Sequence, residues 1–304
     1  MQDILTCAMG LDVHRDIIVA CLVKGAVDAE PEAETRTFST LIPEMQKLRD
    51  WVIEAECRNV AMESTGIYWQ PIYEMLESCF NSEISILVVN ARHMKNVPGR
   101  KTDMKDAQWI ATLLRAGLLK GSFIPDKAFR ELRHLTRYRK SVVHDITAQK
   151  NRIDKFLQSS GFRFTAFLSD AFGASGRNII RHLIEHGSID RAVLDKCLKT
   201  KTRNRIDEIL IALNGSLSVH QRKFLNMVFQ HLEDLEAHKR TVEDEITEEV
   251  LKHTEALNLL CSIPGIDVTA AAAIIAEIGT DMSSFPDSQH ICSWAGLSPG
   301  NNES

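Results

Sequence analysis

Apolar and polar positions change their period once along this chain, near residue 100. Before that point short apolar runs alternate with turn residues. Cys7–Val13, a turn at His14-Arg15-Asp16 and Ile17–Val23 predict a β-hairpin. Thr35–Ser39 predicts a third strand, Asn59–Met62 a fourth and Ile84–Asn90 a fifth. Pro43–Ala55 has helical spacing, with Met45, Leu48, Trp51, Val52 and Ile53 on or near its buried face, and Tyr68–Ser78 predicts a second helix. Three early strands, then strand alternating with helix, predict a mixed α/β sheet.

Beyond residue 100 the strand signal vanishes. Lys101–Leu119 reads as helix, interrupted by Gly121 and Pro125. Phe129–Gln158 predicts a long basic helix with apolar positions at Leu132, Leu135, Val142, Ile146, Ile153 and Leu157. Residues 161–176 form a break, and 177–214 predict shorter helices. From Leu217 to Leu260 a heptad pattern returns at Leu225, Val228, Leu232, Leu235, Val242 and Ile246, continuing to His253 and Leu257. Two such helices fit an antiparallel pair within one chain or a pairing between subunits. The last segment, Leu259 to Asp267 followed by the small-residue helix Val268–Ile278 and Gly279, is similar to a helix-hairpin-helix element. In that element turn amides meet phosphate without reading bases. Asp267 stands where a glycine often sits, and an acid beside a phosphate is unfavourable. The expected organisation is therefore an α/β domain over 1–125, a helical coiled-coil region over 126–256 and a C-terminal domain over 257–304.

With 304 residues, 44% of them apolar, the chain can bury two or three cores. No apolar run reaches the ~18 residues of a membrane span, and the N-terminus lacks a basic flank with a long apolar stretch, so neither a membrane anchor nor a signal peptide is expected. Seven cysteines without a C-x-x-C pair fit reduced thiols in a cytoplasmic protein and no zinc site. A net charge of −5 argues against nucleic acid until its distribution is considered. Residues 91–160 hold sixteen basic side chains against six acids, a surplus of ten, while acids concentrate in 28–56 and 233–255. That is the footprint of a polyanion-binding middle. Arg130, Arg133, Arg137, Arg139 and Lys140, with Lys150 and Arg152 beyond them, are the candidate phosphate contacts; Tyr138 is a candidate base-stacking residue. Arg100 and Lys101 are placed to grip phosphate close to the acids described next.

Asp12 lies inside the first strand run, Glu63 ends the fourth, and Asp103 and Asp106 are three apart at the start of a helical stretch, on one helix face. Alone, each has an ordinary reading: Glu63 as a solvated strand end, Asp103 as a helix cap, Asp106 as an acid suiting the helix dipole. Together they point to hard-oxygen ligation of Mg²⁺, and a pair of ions about 4 Å apart is a device for phosphodiester chemistry.

The blocks Gly10-Leu11-Asp12-Val13-His14, Ala61-Met62-Glu63-Ser64-Thr65-Gly66-Ile67-Tyr68-Trp69 and Val89-Asn90-Ala91-Arg92-His93 resemble the DEDD transposases of insertion sequences. So do residues 99–107, residues 135–140, Ile263-Pro264-Gly265 and residues 293–304, which makes the resemblance span essentially the whole chain. It implies a ribonuclease-H/RuvC-like N-terminal domain, a coiled-coil region and a C-terminal transposase domain. It implies a DNA recombinase guided by a structured noncoding RNA, acting as homodimers that assemble into tetramers. Asp12, Glu63, Asp103 and Asp106 would then hold two Mg²⁺ ions, and Ser304 would attack the DNA phosphate and form a phosphoserine link. Members of the family continue past the position of Ser304, so the resemblance implies an incomplete C-terminal domain and impaired strand exchange. Without the resemblance Ser304 is an ordinary surface serine.

Two other functions fit part of this pattern. A hydrolytic Mg²⁺ endonuclease of the Holliday-junction-resolvase type would use the same four acids without Ser304. An actin-like sugar kinase also opens on Gly-x-Asp, but no second glycine-rich phosphate loop follows and the basic helix has no role there.

Overall fold

The computed structural model describes residues 4–63, 66–80, 83–90 and 106–297. Asp103, Arg100, Lys101 and Ser304 therefore lie outside the described residues. The chain divides into two compact units, 1–124 and 125–304.

The first unit is built on a five-stranded mixed sheet in the order β3-β2-β1-β4-β5. Its strands are β1 (Cys7–Val13), β2 (Ile17–Lys24), β3 (Glu32–Ser39), β4 (Asn59–Glu63) and β5 (Ser85–Val89). β1, β2 and β3 pair antiparallel, while β1–β4 and β4–β5 pair parallel, giving the ribonuclease-H/RuvC-like sheet that the resemblance implied. β3 starts three residues earlier than its apolar signal, because backbone pairing from Lys24↔Glu32 to Ile17↔Ser39 extends it where the side chains show no hydrophobic pattern. Helices α1 (Ile42–Glu54) and α2 (Gln70–Phe80) follow β3 and β4, and α3 (Asp106–Arg115) follows β5. Gly117, at φ +67°, turns the chain after α3.

Period-two alternation divides this sheet into two different faces. Met9, Leu11, Val13, Ile18, Val60, Met62 and Val88 pack with Leu48, Trp51 and Val52 of α1 and Ile72 and Leu76 of α2. The opposite face presents small residues. Ala8, Ala61 and Val89 meet Ile110 and Leu114 of α3, and Cys21 and Val23 meet Ala107 and Ala111.

The second unit is helical. Its longest elements are α4 (Lys127–Ser159) and α9 (Val219–Leu251), each 33 residues and so about 50 Å long. Between them come α5 (Ala174–His186), α6 (Arg191–Cys197), α7 (Thr200–Arg203) and α8 (Ile206–Ala212). α10 (Thr254–Cys261), α11 (Val268–Ile278) and α12 (Ser288–Trp294) follow α9. The two long helices run antiparallel within the one chain. Arg139 bonds Glu243, Gln149 donates to the Val228 carbonyl and Phe156 meets Phe224, so numbers rise along one helix as they fall along the other. The choice that periodicity left open is thus resolved as an intramolecular pair.

That pair carries a core at each end. Ile153, Leu157, Leu225 and Leu232 pack with Ile179, Leu183, Leu194 and Ile209 of the shorter helices. Phe129, Leu132, Ile246 and Val250 pack with Leu257 of α10 and Ala271, Ala272 and Ile275 of α11. A polar layer separates the two cores, where Tyr138 Oη lies 2.9 Å from His238 Nε2 and Arg139 pairs with Glu243. Gln149 is 1% exposed and donates from Nε2 to the Val228 carbonyl at 2.6 Å. A buried amide with one matching acceptor penalises helix slippage, since any other register leaves it unpaired. Ser218 caps α9 through a reciprocal box with Gln221.

Candidate active site

Gly10 places the site. A Cβ added there would lie 2.2 Å from the Ala107 carbonyl oxygen and 2.4 Å from the Ala111 nitrogen, so α3 rests on β1 backbone to backbone. Two residues on from Gly10, on the same face of β1, is Asp12. Glu63 follows Ala61 on the same face of β4 and is the last residue of that strand. The parallel register pairs Leu11 with Met62, and continuing it by one residue sets Asp12 beside Glu63. Asp106 opens α3, one residue before the Ala107 contact. Sheet register and a single close approach thus bring three separate acids toward one face.

The charges register this arrangement. Burial pushes the Asp12 carboxyl above its usual range, and repulsion from Asp106 and from Glu63 adds to that shift. His14 opposes it, with Nε2 3.2 Å from Asp12 Oδ2. The Asp12 side chain is 16% exposed and that of His14 56% exposed. Among the described residues, no group of three or more His, Cys, Asp or Glu side chains is drawn together tightly enough to hold an ion. The donor set nevertheless suits Mg²⁺, which takes one or two carboxylates and fills its octahedron with water and phosphate oxygens. A cation here would relieve the repulsion that raises Asp12.

The cations of α4 look inward more than the linear pattern suggests. Arg130 is buried and donates to the Pro125 carbonyl at 2.9 Å. Arg133 donates to the carbonyls of Ala276 and Glu277 at 3.3 and 2.8 Å, and burial lowers its guanidinium from the usual range. Arg137 forks onto both Glu277 carboxylate oxygens at 2.8 and 2.9 Å. Arg139 pairs with Glu243, Lys150 lies 3.5 Å from Glu236, and Arg152 donates to Gln149 Oε1. Lys140 is exposed, and so are Arg137, Arg152 and Tyr138. Among the described residues, those four are the outward-facing members of the expected nucleic-acid-binding set.

Three residues at work here left no local signal. His14 read as a turn residue. Glu277 is more than a hundred positions from the arginines it holds, and nothing in a linear pattern joins them. Arg115 counted only toward the basic surplus, yet it is 1% exposed and donates to the carbonyls of Leu5, Gly25 and Ala26 at 2.9, 3.1 and 2.6 Å. In the C-terminal hairpin the Asp267 carboxylate accepts from the Ala270 N–H at 2.7 Å, which fills the first turn of α11.

Comparison with known proteins adds the following. A family profile for DEDD transposases of the IS110 type, described as Transposase, matches residues 9–161. A second, described as Transposase IS116/IS110/IS902 family, matches residues 257–304. No curated protein matches the chain. Among solved structures, Thermus thermophilus RuvC and T. thermophilus RuvC in complex with a Holliday junction substrate each align at 12% identity and a TM-score of 0.28. Each alignment covers 38% of this chain and 99% of the other.

Proposed function

The chain belongs to the IS110-type family of DEDD transposases, and on that footing we propose that it cuts and rejoins DNA at the face shared by Asp12, Glu63 and Asp106. Asp103, three residues before Asp106, completes the acidic set in this reading. The observation that carries it is the Asp12 carboxyl, raised by burial and by Asp106 and Glu63 on a face where α3 sits directly on β1. The four acids would hold Mg²⁺, which when bound polarises the scissile phosphate and stabilises the leaving oxygen.

The protein's own groups do the rest. The carboxylates would hold the ion that draws in the anionic phosphate, and His14, with Nε2 3.2 Å from Asp12 Oδ2, orients the Asp12 carboxylate. The Ser304 hydroxyl attacks phosphorus; a serine–phosphate ester forms as the bond to the departing sugar oxygen breaks. That ester conserves the energy of the original linkage, so the attack of a second DNA hydroxyl restores a phosphodiester and frees the serine. A serine hydroxyl needs activation for this step, which a neighbouring base or ion supplies.

The outward-facing Arg137, Lys140, Arg152 and Tyr138 are proposed to bind the structured noncoding RNA that guides the choice of DNA, with Arg100 and Lys101 on phosphate nearer the acids. The active assembly is proposed to be homodimers joined as a tetramer, working in the cytoplasm. Among the described residues no helix is long and apolar enough to cross a membrane.

The test is a denaturing gel of protein incubated with element-end DNA and Mg²⁺. A covalent adduct lost in Ser304→Ala and in Asp12→Asn is the expected result. Cleavage without an adduct, unaffected by Ser304→Ala, would replace the recombinase with a hydrolytic endonuclease using the same acids. Sequencing of co-purifying RNA tests the guide: one discrete noncoding species is expected, and a heterogeneous mixture would overturn it.

A further inference from the structure

β3 forms one side of the sheet and is bonded to β2 over all eight of its residues. Its outer side has no backbone partner among the described residues. The opposite edge differs: the Ser122 N–H donates to the Val88 carbonyl of β5 at 2.7 Å, and Gly121 lies against Leu87. Every residue of β3 from Glu32 to Thr37 is exposed. An open edge of this length is a template for another strand.

Edge charges ordinarily deter such pairing, so their order decides the outcome. Glu32, Glu34, Arg36 and Phe38 share one face of β3. On that face Arg36 is held in place, its Nε 2.7 Å from Glu34 Oε1 and its guanidinium 4.3 Å over the Trp51 ring. An antiparallel strand identical to β3 and centred on Thr35 sets Glu34 opposite arginine and Arg36 opposite glutamate. Centring on Glu34 or Arg36 places like charges across the axis, and parallel in-register pairing does so at every charged position. The sequence of β3 is self-complementary in one register.

We propose that β3 is a docking edge for a second copy of this chain, which adds antiparallel about a twofold axis at Thr35. The two sheets then form one continuous sheet, and each Glu34 faces the partner's Arg36. This is an isologous contact, in which one patch serves both copies and the contact is used up once two copies have paired. Main-chain bonds join the copies, and the crossed charge pairs choose the register. It stands apart from the chemistry proposed above and needs none of the acids.

The full-length protein tests this by light scattering coupled to size exclusion. Without nucleic acid, wild type is expected at twice the chain mass. Glu34→Arg alone and Arg36→Glu alone are each expected at half that value, since each sets like charges opposite one another at positions 34 and 36 in the register centred on Thr35. An equimolar mixture of the two variants is expected to recover the doubled mass, because two arginines at 34 and 36 then face two glutamates. Thr35→Cys supplies an independent readout: mild oxidation is expected to link two copies through that position, a band absent from wild type. A monomeric wild type, single variants that remain dimeric, or folded variants whose mixture stays monomeric would each overturn the proposal. So would a Thr35→Cys protein that gives no linked dimer.

Discussion

Gly10 on β1 and Ala107 on α3 meet backbone against backbone, with room for no side chain between them: a Cβ at Gly10 would stand 2.2 Å from the Ala107 oxygen. The contact sets the height of α3 above the sheet and hence where Asp106 sits relative to Asp12. Gly10→Ala is therefore expected to lift α3 as a unit, because the clashing atoms are main chain and cannot rotate away. Overpacking of this kind costs about 1–3 kcal/mol or more. Chemical denaturation of the variant should show that loss, and DNA cleavage should fall further than stability does. A variant that keeps wild-type stability would show that α3 can move without penalty.

Asp12 gives a pH dependence with a definite sign. Burial first, then Asp106 and Glu63, raise its carboxyl in the folded protein, while His14 works against the shift. A carboxyl raised on folding holds its proton more tightly in the native state. Its contribution is thus fully present below the ordinary aspartate value and is lost as pH rises through the raised one. At neutral pH without divalent ions, Asp12 is then a net burden. Asp12→Asn is expected to melt at a higher temperature than wild type in chelator at neutral pH, and this advantage should vanish in acid. Mg²⁺ should raise the wild-type melting temperature and leave that of Asp12→Asn nearly unchanged, because an ion that binds the native state stabilises it by mass action. Equal Mg²⁺ shifts in both proteins would remove Asp12 from the ion-binding set.

These two residues also mark how far linear reading reaches. The strands other than β3 were legible because one face of β1, β2, β4 and β5 is apolar, and alternation reports that directly. The approach of α3 at Gly10 was not, since a missing Cβ leaves no hydrophobic signature. β3 was half legible: its backbone pairs along β2, but only Phe38 faces a core. For the acids, strand ends and helix starts suggested a common face, and Asp12, Glu63 and Asp106 lie toward one. The α4 cations were legible as a charge surplus but not as partners of Glu236, Glu243 and Glu277, which come from elements far along the chain.

Arg115 is the strongest case of a charge used for architecture. Its buried guanidinium gathers the carbonyls of Leu5, Gly25 and Ala26, and its own carbonyl accepts from the N–H groups of Ile4 and Leu5. Arg115→Met keeps most of the volume but leaves those three carbonyls without this donor. Removing hydrogen bonds donated by a buried charged group to partly exposed carbonyls costs about 1.5–3 kcal/mol. The loss should appear as a lower urea midpoint for the first unit. Arg115→Lys should recover little of it, because an ammonium cannot span the same fork. Full rescue by lysine would mean that charge alone, not geometry, holds this corner.

Arg137 and Glu277 allow the proposed nucleic-acid role of α4 to be tested without destroying the helix. The Arg137 side chain is 64% exposed, so its fork onto Glu277 is an open surface pair worth at most about 1 kcal/mol. Glu277 therefore competes with any phosphate for the same guanidinium. Glu277→Gln removes the competitor and leaves Arg137 free to bind, so affinity for the proposed guide RNA is expected to rise. Arg137→Gln should lower affinity and flatten the dependence on salt by about 0.7 in logarithmic slope, the share of one single-strand phosphate contact. In the double variant the gain from Glu277→Gln should disappear, since there is no arginine left to release. Fluorescence anisotropy at several salt concentrations reads all three. A Glu277→Gln gain that survives in the double variant would assign the phosphate contact to another cation, with Arg133, also 3.0 Å from the Glu277 carboxylate, the first to examine.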